Sequence, residues 1–139
     1  MPQILYQRLA GERLPLANKF YKQQRSPMRV GRSEQVWVAQ HTEIIAACCL
    51  KPVADGHWLT ALLVAREQRQ QGVASQLLNQ LQAQISGPIW LFCAPELLGF
   101  YQRLGFAPCH DLPAALAERL LRYQRKQPLL ALATKPACG

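Results

Sequence analysis

Residues 44–50 read Ile-Ile-Ala-Ala-Cys-Cys-Leu, a run with no polar side chain. In a strand, successive side chains face opposite sides of the sheet, so this run has no side to offer to water. It is stable only as a central strand covered on both faces, the position strands take when helices pack on both sides of a sheet. It is far too short to cross a bilayer. Cys48 and Cys49 are expected on opposite faces, as small core hydrophobes. The five cysteines lack metal-ligand spacing and read as reduced thiols of a cytoplasmic protein.

The rest of the chain alternates strand-like and helix-like segments. ILYQRL at 4–9 reads as a first strand. Pro15 suits the first turn of a helix whose apolar face is Leu16, Ala17, Phe20 and Tyr21. Residues 25–34 have no period and form a loop. QVWVAQ at 35–40 and the apolar run at 44–50 are strands, and residues 52–56 turn the chain into a third, HWLTALLV at 57–64. Val73, Leu77, Leu78, Leu81 and Ile85 then make the clearest helical stripe. PIWLFC at 88–93 is a strand. Pro95 and Glu96 open a helix that Gly105 closes, and Phe106 begins another strand. Asp111 and Pro113 look like the cap and first turn of a helix carrying Leu116, Leu120 and Leu121. LLALAT at 129–134 is the last strand, and the KPACG tail is expected to fray. The order β-α-β-β-β-α-β-α-β-α-β is that of an α/β (α+β) fold, with a mixed central sheet of about seven strands flanked by helices.

A length of 139 residues fits one domain, 1–139. Half of the residues are hydrophobic and 17% are charged, which excludes a disordered chain. The first residues carry no basic segment followed by a long apolar run, so no secretory signal is expected. Sixteen Lys and Arg against eight Asp and Glu give a net charge of +8. That balance calls for an anionic partner: a nucleic acid, a lipid surface or a phosphorylated small molecule. The cations are dispersed, and aromatic residues do not interleave with them as an RNA-binding sheet requires, so a basic nucleic-acid-binding module is the weaker reading.

Two segments carry chemistry. The first is LLVAREQRQQGVA at 62–74: a buried strand, a polar loop and the start of an amphipathic helix. A helix N-terminus presents unpaired N–H groups and partial positive charge. Gly72 permits close backbone approach, small Ala74 keeps the first turn open, and Arg66 and Arg69 add charge. This makes a cradle for a pyrophosphate. Alone, R-x-x-G-x-A is common and reads more simply as an ordinary strand-to-helix connection. The second segment is FYQRLGF at 100–106. Its structural reading is a helix end with Phe100 and Leu104 as a core pair and Gly105 past the last turn.

Strand, loop, helix and strand, followed by Tyr101 twenty-nine residues after Gly72, resemble the GNAT superfamily of acyl-CoA-dependent N-acetyltransferases. The resemblance runs from His57 to Phe106, and more loosely over the lead-in. It implies that strands four and five splay apart around the thioester of acetyl-CoA, the co-substrate, and that no metal is needed. The backbone of Leu62 and Val64 would pair with the pantetheine arm. N–H groups of Arg69, Gln70, Gln71, Gly72, Val73 and Ala74 would take the pyrophosphate. An N–H near Leu62 would stabilise the tetrahedral oxyanion, and Tyr101 would be the general acid for the departing thiolate, since a phenol with pKa near 10 keeps its proton at neutral pH. An amine of a small molecule or peptide would attack the acyl carbon directly in a ternary complex.

The chain departs from the family in two places. Where many members carry Asn after the fifth strand, it reads Cys93-Ala94-Pro95-Glu96. Where many carry a Glu on the fourth strand, HWLTALLV has no carboxylate. His57 and Glu96 read as a strand-end residue and a helix-start charge, so the general base stays unassigned. A catalytically degenerate GNAT fold that only binds CoA or a protein partner remains a second reading. The resemblance also puts the acceptor near the loop carrying Arg25, Arg29 and Arg32. Taken singly, each is most simply a solvated cation; the sharper expectation is that they favour an acceptor with an anionic group such as a carboxylate. The resemblance implies a monomer or homodimer. Arg119, Arg122, Arg125 and Lys126 are read as a solvated face.

Overall fold

The computed structural model describes residues 3–31 and 33–134. Arg32 and the KPACG tail, with Cys138, lie outside the described residues. The strands are β1 (Leu5–Arg8), β2 (Gln35–Gln40), β3 (Ile44–Val53), β4 (Gly56–Val64), β5 (Ile89–Cys93), β6 (Phe106–Pro108) and β7 (Leu130–Thr134). The helices are α1 (Leu14–Gln23), α2 (Val73–Gln84), α3 (Leu98–Gln102) and α4 (Ala114–Gln124). The element order is the expected one. The contacts divide the chain into two compact units, Met1–Lys51 with Leu59–Ile85, and Pro52–Trp58 with Ser86–Gly139. Strands run in the order β1-β2-β3-β4 in the first unit and β4-β5-β7-β6 in the second, so β4 is common to both orders and the mixed sheet counts seven strands.

In the first unit, β1 pairs antiparallel with β2 and β2 antiparallel with β3. Residues 45–50 of β3 are buried without a break, as an all-apolar run requires. Val36, Val38, Ala47 and Cys49 form one cluster with Ala17, Phe20 and Tyr21 of α1. Trp37, Ala39 and Cys48, which alternate with these, are buried as well, and α2 lies against β1 and β2. The two cysteines thus lie on opposite, covered faces of β3. Val73, Leu77, Leu78 and Leu81 are the buried stripe of α2, while Ile85 already has extended backbone and ends the helix. The expected face of α1 is narrower than read: Leu16 is 46% exposed.

In the second unit, β4 starts parallel to β5, with His57 beside Ile89 and Trp58 beside Trp90. This short parallel ladder is consistent with splayed fourth and fifth strands. A Cβ on Gly56 would collide with the Pro88 carbonyl oxygen, so the close approach of the two strands requires glycine there. β5 pairs antiparallel with β7, and β7 antiparallel with β6. Trp58, Trp90 and Leu116 centre the core of this unit, with Phe92, Leu112 and Ala133 packed against it.

Five local expectations need correction. β3 continues through Pro52 to Val53, because the turn is only Ala54-Asp55, with Ala54 left-handed at φ 50°. The segment opened by Pro95 is a 3-10 turn, Pro95–Leu97, followed by a five-residue α3. The residue before α4 is Pro113, with no side-chain cap, so Asp111 is not the cap. Leu121 is 65% exposed, leaving Leu116 as the buried anchor of α4. Arg119 is not merely solvated: its guanidinium stacks 4.5 Å from the centre of the Trp58 ring, a cation–π contact.

Candidate functional site

The end of β4 and the start of α2 are joined by a 3-10 turn, Arg66–Gln68, and an exposed loop. The Ala65 N–H donates to the Ile45 carbonyl at 2.7 Å and fixes the strand end to β3. The Arg66 N–H donates to the Gln24 side-chain oxygen at 3.2 Å. The Arg69 guanidinium folds back and donates from Nε to the Val64 carbonyl at 3.1 Å. Gln71 donates to the Glu67 carbonyl. The first two bonds tie the strand end to β3 and to the end of α1, and the last two tie the loop to its own ends.

Gly72 closes the loop with φ 78° and ψ 11°, the left-handed region that glycine enters without a Cβ penalty. Gln70 is also left-handed, at φ 65°. A left-handed residue next to a right-handed one turns successive N–H groups to one side, the backbone geometry of an anion-binding nest. Gly72 precedes α2 without any side-chain cap. Its carbonyl accepts the first helical bond, from the Gln76 N–H at 3.0 Å. The first-turn N–H groups of α2, on Val73, Ala74 and Ser75, therefore have no capping oxygen and present the positive end of a twelve-residue helix. A Cβ built on Gly72 meets nothing within 4 Å. The space above this helix start is open, and a pyrophosphate fits the donor set. Gly72, Gln70 and Gln71 are exposed, Ala74 is half-buried, and Val73 turns inward to the core.

One feature of β4 was not expected. Ala61 is left-handed at φ 57° inside a strand. A residue in that conformation cannot keep the regular ladder, and it produces a bulge. The displaced carbonyl accepts a 2.7 Å hydrogen bond from the hydroxyl of Tyr21 on α1. Tyr21 is fully buried, with its hydroxyl also 3.8 Å from Cys49 Sγ. Burial, with smaller contributions from Cys49, Cys48 and Glu34, pushes its phenol far above the ordinary range. Leu62 and Val64, the expected pantetheine contacts, follow directly and are half-buried. Nothing in an alanine between Thr60 and Leu62 marks a bulge, and Tyr21 read simply as one more apolar position of a helix face.

Tyr101 belongs to the second unit. It is 8% exposed, and its ring meets Phe100 and Phe106 edge-on, with centroids 5.0 and 5.7 Å away. The interlocked aromatic rings fix its orientation on a helix of five residues. His57 pairs through its backbone N–H with the Pro88 carbonyl at 2.9 Å, and its Nδ1 is buried without a hydrogen-bond partner. Glu96 is exposed in the first turn after β5, as expected of a helix-start charge. Burial, then the Glu96 charge, raises the Cys93 thiol above its usual pKa.

The loop after α1 borders a groove of about 700 Å³ in the first unit. Lys19, Lys22, Arg25 and Arg29 line it, with Asn18 and Met28. Among the described residues, no acidic side chain lines it. The loop is held by a 2.9 Å hydrogen bond from the Val30 N–H to Asn18 Oδ1. Arg25 and Arg29 are thus brought to one groove, and Lys19 and Lys22, one helical turn apart, join them. Among the described residues, no group of three or more His, Cys, Asp or Glu could hold a metal ion, and no helix is long and apolar enough to cross a membrane.

The model of the acetyltransferase (GNAT) domain family matches residues 32–108. No curated protein matches the sequence. Solved structures match in fold. A GNAT-family acetyltransferase from Staphylococcus aureus is 14% identical with a TM-score of 0.63, covering 95% of this chain and 98% of that one. N-acetylglutamate synthase from Neisseria gonorrhoeae, complexed with coenzyme A and N-acetyl-glutamate, is 15% identical at TM-score 0.65, over 96% of this chain and 35% of that one. Arabidopsis thaliana Naa50, in complex with the bisubstrate analogue CoA-Ac-MVNAL, is 15% identical at TM-score 0.65, over 95% of this chain and 98% of that one.

Proposed function

The chain belongs to the GNAT acetyltransferase family, and we propose that residues 1–139 act as one acetyl-CoA-dependent N-acetyltransferase domain. The observation that carries this reading is the uncapped, left-handed Gly72 start of α2, following β4 within the family match. Backbone N–H groups of Gln70, Gln71, Gly72, Val73 and Ala74 take the pyrophosphate, with Arg69 contributing from its side chain. Leu62 and Val64 offer backbone to the pantetheine arm. At Arg69 the backbone N–H already donates to the Arg66 carbonyl at 3.4 Å and Nε to the Val64 carbonyl, so the groups left to offer there are the terminal guanidinium N–H groups. The N–H of Leu62 stabilises the oxyanion as the amine attacks the acyl carbon. Tyr101 returns a proton to the CoA thiolate as the C–S bond breaks. The acceptor amine arrives neutral, or loses its proton to a base that no residue here is assigned to supply.

The acceptor carries an anionic group. What supports this is the groove lined by Lys19, Lys22, Arg25 and Arg29, with no acidic side chain in its lining among the described residues. The complexes that the relatives are crystallised with, N-acetyl-glutamate in one and a peptide analogue in another, make small acidic amines and peptide N-termini the first acceptors to screen.

Two measurements test the activity. Acetyl-CoA raises Tm in a concentration-dependent way, because it binds the native state. Thiol release from acetyl-CoA, followed across a panel of amines, identifies the acceptor. In Tyr101→Phe, kcat falls on the order of 100-fold, the low end for loss of a general acid, while the acetyl-CoA thermal shift is kept. Unchanged turnover removes Tyr101 from the chemistry. No thermal shift with the wild type removes the acetyl-CoA site itself.

A further inference from the structure

We propose that Tyr21 is a positioning residue: its hydroxyl holds the bulge at Ala61 and thereby aims the Leu62 N–H, the group that the proposed acetyl transfer uses as its oxyanion donor. The proposal rests on that activity for its consequence, but its geometry stands apart from it. Ala61 is left-handed at φ 57° in mid-strand. An L-residue holds that conformation only where its surroundings enforce it, and such outliers gather at functional sites. Here the enforcing contact is the 2.7 Å hydrogen bond from the Tyr21 hydroxyl to the Ala61 carbonyl.

The link to Leu62 is covalent. The Ala61 carbonyl and the Leu62 N–H belong to one planar peptide unit, and no peptide bond among the described residues is cis. In a trans peptide the two groups point in opposite directions. Drawing the carbonyl towards α1 therefore turns the N–H away from α1. The same hydrogen bond polarises the amide and makes its N–H a better donor. The latch is also constant with pH. Burial and the neighbouring Cys49, Cys48 and Glu34 all raise the Tyr21 phenol, so it remains a donor wherever the protein is folded. The Ala17, Phe20 and Cys49 side chains packed in the same cluster hold the ring in place.

Tyr21→Phe tests this, since it keeps the ring and removes only the donor. The expected result is a fall in kcat of on the order of ten- to a hundredfold, short of the roughly 10²- to 10³-fold cost of deleting an oxyanion donor outright. KM for acetyl-CoA changes little, and the shape of the pH profile does not change. Hydrogen exchange at the Leu62 amide, read by NMR in the absence of any substrate, changes with the substitution. Glycine enters the left-handed region freely, so Ala61→Gly added to Tyr21→Phe keeps the bulge without the latch and recovers part of kcat. A Tyr21→Phe protein with wild-type kcat and an unmoved Leu62 amide overturns the proposal. So does a loss of kcat that tracks loss of folded protein and is not relieved by Ala61→Gly. If the wild type acetylates no amine, the activity reading fails, and the Leu62 amide measurement still decides whether Tyr21 sets that peptide.

Discussion

Gly72 joins two properties that separate substitutions can take apart. Its φ of 78° is costly for any side chain, yet a Cβ there meets nothing within 4 Å. Gly72→Ala should therefore lose roughly 1–2 kcal/mol of stability, the cost of a left-handed L-residue, and show no further steric penalty. Gly72→Leu should lose a similar amount of stability. Its side chain, however, fills the open space above the α2 start, and the acetyl-CoA dissociation constant should rise at least about tenfold, which is ~1.4 kcal/mol. Thermal-shift titrations of the two variants against acetyl-CoA separate the backbone effect from the blocked cradle. Equal affinity for Gly72→Leu and wild type would place the pyrophosphate elsewhere. Gly72 was legible in the sequence because glycine just before an apolar helical stripe has one common structural meaning. Ala61 and Gln70 hold the same left-handed conformation and were illegible, because neither residue type prefers it. At Ala61 the geometry is held by a tertiary contact, from a tyrosine forty residues away in the chain.

At the scale of elements, β3 shows what pattern does settle. Its unbroken apolar run predicted two covered faces, and both Cys48 and Cys49 are fully buried. The cover has a consequence for pH. Burial first, then the Glu34 charge, pushes the Cys49 thiol from its ordinary 9.0 up to about 11. Cys48 is raised as well, by burial and then by Cys49. The folded chain thus keeps protons that the unfolded chain gives up, so stability falls as pH rises through that interval. The urea midpoint should hold steady below about pH 9 and drop between pH 9 and 11. The drop should be shallower in Cys49→Ala, measured against that variant's own midpoint at neutral pH. An equally steep drop would assign the alkaline loss to other groups. Boundaries were less legible than elements. Pro52 reads as a stop, yet β3 passes through it, because the hairpin turn is only two residues long and Pro52 lies exposed at the strand's end. Asp111 reads as a cap, but the chain stays extended through Pro113 before α4 begins.

At the scale of the whole molecule, the excess of cations is where sequence and structure differ most in what they can say. A net charge of +8 names no partner, since charge count carries no position. The fold gives part of it a place. Arg119 stacks on Trp58 and Arg69 Nε holds the Val64 carbonyl, whereas Lys19, Lys22, Arg25 and Arg29 line one groove with no acidic side chain in its lining among the described residues. Lys19 and Lys22 were not singled out in the sequence, although their three-residue spacing puts them on one helix face ahead of the loop. A single exposed ion pair contributes about 0–1 kcal/mol, so one cation would hardly select an acceptor. Four around one groove act together on any charge that enters it, attracting carboxylates and repelling polyamines. Acidic amino acids or peptides should therefore be acetylated with higher kcat/KM than spermidine. Because these charges are exposed and the Debye length is only about 8 Å at physiological salt, KM for an acidic acceptor should rise several-fold between 0.05 and 0.3 M NaCl, by roughly the loss expected when exposed charges are screened. Arg29→Glu should raise the same KM while leaving KM for acetyl-CoA unchanged. Spermidine as the better acceptor, or a KM indifferent to both salt and Arg29→Glu, would mean that this groove does not choose the substrate.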